Sequence, residues 1–374
     1  MELIEADYLA SQPDRDPEQL AEAIAREQSL EILDALISEP IRRDFLGRVL
    51  SVKAIRDDQW HLRIGYPAHL ASEQIGQLMH LLYGNVSFYP RIRLVDVRLP
   101  RSLAEALPGP IGGIPAIRDL TSVHGRALLL TVLKPRGSAP ETLARLAEAF
   151  ALGGGDILKD DQNLVETDLD RFRQRIGCCA QAVDRAAQST GRRCLYLPHV
   201  AGSGAHLHRQ LDAVAEHGLK GVVLCPWFMG LETAAEAARS RGLLWLSHPA
   251  GAGVWTETPD RGASAELIFG LFPRLAGADL SIYPGSGGRI SARQADEAAI
   301  IRALTQPLAG HRPSLPCSGG GKTLAQVPEL ATRLGPDLAV VVGGDLLLHG
   351  AGLQAVVRST IEGLTGSGQA ARRR

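Results

Sequence analysis

Gly153-Gly154-Gly155-Asp156-Ile157-Leu158-Lys159-Asp160-Asp161-Gln162-Asn163-Leu164 is the stretch from which the fold can be read. Three glycines make a turn, Ile157 and Leu158 start a short apolar strand, and the strand ends in an ammonium followed by two carboxylates. Carboxylate oxygens are the hard ligands that Mg²⁺ takes, and it takes only one or two from protein before substrate and water complete its shell. A lysine beside them is either a counter-charge or a reactive amine. The same residues also describe a solvated strand-to-helix turn with an aspartate as N-cap. Taken alone, the stretch leaves both readings open.

Its layout, an apolar run, a polar end and then an amphipathic segment, recurs along the chain. Apolar runs stand at 128–133, 156–158, 194–197, 221–225, 243–247, 280–282, 314–317 and 338–342. Amphipathic stretches lie between them, for example 141–152, 205–216, 263–275, 292–305 and 324–334. Eight strand–helix units in roughly 240 residues predict an α/β fold of the (β/α)₈ TIM-barrel kind. A doubly wound sheet would need fewer strands or a second sheet. Ahead of the barrel, residues 1 to about 120 read as an α+β unit. Helical stretches at 16–27 and 70–82 accompany alternating strands at 48–55, 60–66 and 92–99, which predicts a ferredoxin-like domain. The Gly/Pro-rich segment 100–115 crosses between the two, and the expected division is 1–120 and 121–374.

Composition narrows the partners. The chain has 374 residues, 22% of them charged, and a formal net charge of −1, so no overall basic field argues for nucleic acid or a membrane surface. No apolar run approaches the ~20 residues of a membrane span, and the acidic start Met1-Glu2-Leu3-Ile4-Glu5 lacks a signal-peptide pattern. Five cysteines without metal-ligand spacing fit reduced thiols, so a soluble cytoplasmic protein is expected. Only five of the forty basic residues are lysines: Lys53, Lys134, Lys159, Lys220 and Lys322. Where arginine serves as the generic cation, a lysine at a strand end points to something arginine cannot offer, a titratable amine.

Chemistry-bearing residues follow the predicted strands, where such barrels keep their active sites. Lys134-Pro135-Arg136 follows the first strand, residues 159–163 the second, His199 the third, His248 the fifth and Gly285-Ser286-Gly287-Gly288-Arg289 the sixth. Cys317-Ser318-Gly319-Gly320-Gly321-Lys322 follows the seventh and Gly343-Gly344-Asp345 the eighth. Gly-rich loops after strands seven and eight are a common phosphate site on backbone N–H groups, with Ser318 and Lys322 as further donors; the alternative is plain chain reversal. Lys134 is either a general base with a lowered pKa or a lysine snorkelling from the rim. Each lone histidine is a hydrogen-bonded structural residue or a catalyst.

The 153–164 stretch resembles the second-strand signature of the large subunit of ribulose bisphosphate carboxylase (RuBisCO), Gly-Gly-x-Asp-x-x-Lys-Asp-Asp-Glu-Asn. In that family the lysine is carbamylated by CO₂, and carbamate, second Asp and Glu hold Mg²⁺. The resemblance assigns these roles to Lys159, Asp161 and Gln162, the last a neutral amide where the family has a carboxylate. It likens Lys134-Pro135-Arg136 to the family's Lys-Pro-Lys, whose first lysine moves protons on substrate carbons. It gives Ser318, Gly319, Gly320, Gly343 and Gly344 the holding of substrate and one phosphate. Leu246-Ser247-His248-Pro249 matches the family's His-Arg, with Pro249 where the second-phosphate arginine belongs. Ile282 falls where another phosphate-contacting histidine belongs, and Arg289 replaces the mobile-loop lysine; Arg136 and Arg289 are therefore candidate substrate contacts. Tyr83-Gly84-Asn85-Val86 is similar to the family's Gly-Asn-Val, whose Asn touches substrate, and Ala25-Arg26-Glu27-Gln28-Ser29 to its Glu-bearing segment, which closes over a partner's barrel. The Thr-Trp expected shortly after that Glu is absent, with Glu31-Ile32-Leu33 there instead.

The resemblance spans about 17–363 and implies a RuBisCO-like protein that is not a carboxylase, because the second phosphate site and the carboxylation lysine are gone. It implies a homodimer with the active site between subunits, and Mg²⁺ with a CO₂-carbamylated Lys159. The implied activity is an enolase or isomerase on a singly phosphorylated keto-sugar, such as a methylthio-ribulose or diketo-methylthiopentyl phosphate. Decarboxylation of a β-keto acid sugar phosphate and silent binding of a sugar phosphate are the alternatives.

Overall fold

The computed structural model describes residues 1–12, 14–290 and 294–371. The N-terminal sheet contains strands Leu3–Ala10, Arg48–Arg56, Gln59–Pro67 and Ile92–Arg98, all antiparallel, with Leu3–Ala10 between the last two. Together with helices Pro17–Ser29 and Ile75–Tyr83 this is the ferredoxin-like βαββαβ order. Leu3–Ala10 is a central strand that the pattern reading left out. Its Ile4, Ala6, Tyr8 and Ala10 are buried in one core with Leu20, Ile24, Leu78 and Leu82 of the helices. The acidic residues that mask its apolar character, Glu5 and Asp7, alternate onto the other face. There Arg63 and Arg98 each donate to Asp7 at 2.8 Å.

All eight expected barrel strands form: Leu128–Leu133, Ile157–Asp160, Leu195–Leu197, Gly221–Leu224, Leu244–Ser247, Leu280–Pro284, Leu315–Gly319 and Ala339–Val341. Neighbours run parallel, and the ring is nearly closed: strands three and four meet only through the bridge of His199 to Val223. Alternate residues such as Leu130, Ile157, Leu246 and Leu280 fill the interior in one buried cluster. Helix Gly113–Thr121 plugs the N-terminal mouth with Ile114 and Ile117. Asp279 holds it there, accepting from the N–H groups of Gly112 at 2.8 Å, Gly113 at 2.7 Å and Trp245 at 2.9 Å. The expected division at 120 and 121 falls in the last turn of this helix.

The helical stretches differ in detail from their expected forms. The 263–275 stretch becomes a π-helical turn, Leu267–Leu271, running into Phe272–Ala276, and 324–334 becomes a 3₁₀ turn followed by Val327–Leu334. Residues 292 and 293 of the expected 292–305 helix lie outside the described residues; helix Gln294–Thr305 follows. The long helix Leu169–Thr190 is capped by Asp168, whose carboxylate accepts from the N–H of Asp170 at 2.8 Å. Neither Asp160 nor Asp161 therefore serves as its cap.

The two parts are joined by more than the connecting segment. Gly262–Ala263, which leaves the barrel after its fifth strand, pairs in parallel with Ile92–Arg98 as a fifth strand of the N-terminal sheet. The N–H of Gly262 donates to the Tyr83 hydroxyl at 2.8 Å, and Arg93 donates to the carbonyl of Arg261 at 2.7 Å. The five cysteines are free thiols. Among the described residues no helix is long and apolar enough to cross a membrane.

Candidate active site

A cavity of about 620 Å³ opens at the C-terminal ends of the barrel strands. Its wall brings together Lys134, Lys159, Asp161, Gln162, His248, Arg289, Gly319, Gly320, Gly343 and Gly344. Arg136 is exposed and Ser318 is buried, and neither is on this wall. Asn85 lies in the N-terminal domain, its amide donating to Glu27 Oε1 at 3.0 Å, and the two line a separate surface pocket of about 170 Å³. Gln28 fixes that segment, donating to the carbonyls of His80 at 3.0 Å and Leu81 at 2.9 Å and accepting from the N–H of Val86 at 2.7 Å.

The two adjacent aspartates have opposite surroundings, because strand alternation turns their side chains apart. Asp160 is fully buried; it pairs with the Arg175 guanidinium and accepts from Tyr196 Oη at 2.9 Å and the His199 N–H at 3.0 Å. Its lone pairs are spent on the fold. Asp161 is half-buried on the cavity wall and folds its own loop by accepting from the N–H of Asn163 at 2.9 Å. Lys159 is 2% exposed, and its Nζ donates to the Asp160 carbonyl at 2.8 Å. Burial drives its pKa down to about 8, against the opposing pull of Asp161 and Asp160.

Among the described residues no three His, Cys, Asp or Glu side chains are grouped to hold a metal ion. As an ammonium Lys159 has no lone pair for a cation, and Asp161 with the Gln162 amide supplies one anionic oxygen and one neutral one. A carbamate on Lys159 would add the second anionic oxygen, and with it the set fits a hard divalent cation.

Lys134 reaches toward the eighth-strand loop: a Cβ added at Gly343 would lie 3.1 Å from its Nζ. His248 accepts from the N–H of Ala250 through Nδ1 at 3.2 Å, which leaves the proton of the neutral ring on Nε2. Burial, then Lys159 and His199, hold its pKa well below the usual histidine value. His199 and Cys225 stand 3.7 Å apart beside this corner, lining an adjoining cavity of about 440 Å³ that shares Gln162 and Ala250 with the first. Burial lowers His199 to about 4 and raises the Cys225 thiol to about 11, so both are neutral near pH 7.

On the opposite wall Gly320 and Gly321 take φ values of +92° and +91°, a region that favours glycine. Ser318 does not offer its hydroxyl to the cavity; it donates to Glu297 Oε1 at 3.0 Å. Lys322 lines the cavity, yet its ammonium donates to the Ser286 carbonyl. Pro249, Phe269 and Ile282 make an apolar stretch of wall. The reading from sequence missed Asp160's partners Arg175 and Tyr196, the neighbouring Cys225, and Glu297. Arg175 lies fifteen residues beyond Asp160 on an amphipathic helix, and no local pattern announced their pairing.

A family model for the ribulose bisphosphate carboxylase large chain, catalytic domain, matches residues 113–366, and one for its N-terminal domain matches residues 2–103. Ribulose bisphosphate carboxylase-like protein 1 of Rhodopseudomonas palustris is 37% identical over 332 residues, 88% of this chain and 89% of its own. The 5-methylthioribulose-1-phosphate isomerase of Rhodospirillum rubrum is 34% identical over 330 residues, 87% of each chain. Among solved structures, a Rubisco-like protein from Rhodopseudomonas palustris superposes with a TM-score of 0.87 at 31% identity, covering 98% of both chains. Another from Alicyclobacillus acidocaldarius gives 0.90 at 25% identity, covering 99% of this chain and 95% of its own.

Proposed function

The chain belongs to the ribulose bisphosphate carboxylase large-chain family, and within it we propose an enzyme that removes a proton beside the carbonyl of a singly phosphorylated keto-sugar, without fixing CO₂. The substrate we favour is a methylthio-ribulose or diketo-methylthiopentyl phosphate. One observation carries the reading: a single cavity holds Lys134, the Lys159–Asp161–Gln162 corner and two Gly-rich loops, while positions 249 and 282 on its wall are proline and isoleucine. A second phosphate would meet apolar surface there.

In this reading the substrate phosphate rests on N–H groups of Gly319, Gly320, Gly343 and Gly344, assisted by Arg289. Lys134, beside the eighth-strand loop, takes the proton. The Nε2–H of neutral His248 donates to the oxygen that gains charge, without transferring a full positive charge into the cavity. Lys159 as carbamate, Asp161 and Gln162 would hold Mg²⁺, which when bound stabilises charge on the substrate oxygens. The Glu27–Asn85 pair, held at the surface of the N-terminal domain, would complete the site of a second copy, making the enzyme a homodimer.

The test is exchange of solvent deuterium into a panel of keto-pentose monophosphates, with and without Mg²⁺ and bicarbonate. Exchange that requires Mg²⁺ and is lost in Lys134→Met is the expected result; concomitant CO₂ release from a β-keto acid would identify a decarboxylase instead. A second reading rests on Gln162, whose neutral amide weakens the cation corner: a silent sugar-phosphate-binding protein, which would bind such compounds and exchange none.

A further inference from the structure

Glu297 is fully buried on helix Gln294–Thr305, yet it is not on the cavity wall. Its carboxylate gathers three donors from three segments: Ser286 Oγ at 2.9 Å from the sixth-strand loop, Ser318 Oγ at 3.0 Å from the end of strand seven, and Arg333 Nη2 at 2.9 Å from helix Val327–Leu334. Arg333 also donates to Ser286 Oγ at 3.1 Å. Gly285 lets the parts close up, since a Cβ there would lie 2.6 Å from Glu297 Oε1.

Bonds around this node knit the loops that carry the Gly-rich cradle. Lys322 donates to the Ser286 carbonyl, Gln326 to the Gly287 carbonyl at 3.0 Å, and the Ile290 N–H to the Gly320 carbonyl at 2.9 Å. The Leu324 N–H donates to Asp345 Oδ2 at 2.8 Å, which extends the linkage to the eighth-strand loop. A buried carboxylate that accepts several charge-assisted bonds is fixed in place, and it fixes its donors in turn.

We propose that Glu297 is the positioning residue of the anion cradle: by binding Ser286, Ser318 and Arg333 together it holds the seventh-strand loop, whose N–H groups receive the phosphate, in register with the sixth-strand loop that carries Arg289. Ser318 then acts through Glu297 and not on substrate. This rests on the reading of the cavity as a phosphate site.

Inorganic phosphate and a keto-pentose monophosphate would be titrated calorimetrically against wild type, Glu297→Gln, Ser286→Ala, Arg333→Met and the Glu297→Gln/Arg333→Met double variant. A misplacement of about 1 Å can cost about a hundredfold in rate, and losing a hydrogen bond to a charged group costs about 1.5–3 kcal/mol, roughly ten- to a hundredfold in affinity. The expected result is affinity about tenfold or more weaker in the folded single variants, with the double variant no weaker than Glu297→Gln because both substitutions break one unit. Should Glu297→Gln fail to fold, Ser286→Ala and Arg333→Met, at half-buried positions off the wall, decide the matter on the same criterion. Wild-type binding with unchanged affinity in the folded variants overturns the positioning role alone. No phosphate binding by wild type overturns both this role and the reading of the cavity.

Discussion

Replacing Asp160 by Asn should unfold the barrel far more readily than the same change at its neighbour Asp161. Asp160 is 0% exposed and is the anionic partner of Arg175, whose side chain is 2% exposed. Removing one member of a buried ion pair leaves an uncompensated charge, which costs about 3–5 kcal/mol. The amide brings a second conflict. One oxygen becomes an NH₂ that must face either Tyr196 Oη or the donors at the other oxygen, Arg175 and the His199 N–H, adding about 1–3 kcal/mol. Asp161→Asn keeps a residue that accepts from the Asn163 N–H equally well and should cost under about 0.5 kcal/mol. Urea denaturation followed by tryptophan fluorescence, which Trp245 in the fifth barrel strand reports, measures the difference as a shift in midpoint. Asp160→Asn/Arg175→Met should be less destabilised than Asp160→Asn alone, since the stranded cation is gone. Equal midpoints for the two aspartate variants, or no rescue by Arg175→Met, would refute the division of labour between them.

Four further outcomes are expected. With a pKa of about 8, Lys159 is neutral in roughly one molecule in ten at pH 7, against roughly one in three thousand for an ordinary lysine at 10.5. Carbamate formed from ¹³C-bicarbonate, seen by NMR, should therefore rise with a midpoint near pH 8 and vanish in Lys159→Met. Because the folded pKa lies below the unfolded one, Lys159 itself contributes stability that grows with pH between about 8 and 10.5, while the buried thiols, whose pKa is raised, act the other way; the stability of wild type relative to Lys159→Met should therefore increase across that window. A Cβ at Gly344 would have no atom within 4 Å, so Gly344→Ala should keep or raise stability by about 0.4–1 kcal/mol while weakening phosphate binding about tenfold in calorimetry. Mixing Lys134→Met with Asn85→Ala subunits should restore about a quarter of wild-type exchange if two copies share each site, since half the dimers carry one intact site; no recovery would mean the site is built from one chain.

The barrel was legible because its strands are buried on all sides and read as unbroken apolar runs, with polar residues waiting at their ends. Leu3–Ala10 was not, because Glu5 and Asp7 make a central strand look like a charged leader until Arg63 and Arg98 are seen beside it. The residues gathered around the cavity were legible by their order after the strands. What sequence could not give is which of two like side chains faces inward. Asp160 and Asp161 differ by one step of alternation, and Ser318 is turned from the cavity by a carboxylate 21 residues away in the chain. Glu297, one of two acidic residues in the first turn of an amphipathic helix, carries no local mark of burial.

The strand Gly262–Ala263 gives the chain a second seam. Since the barrel donates an edge to the N-terminal sheet, and Arg93 and Tyr83 fasten that edge from the other side, the connecting segment before Pro108 is not all that keeps the halves in register. A gene cut there would yield two fragments with a ready-made docking edge.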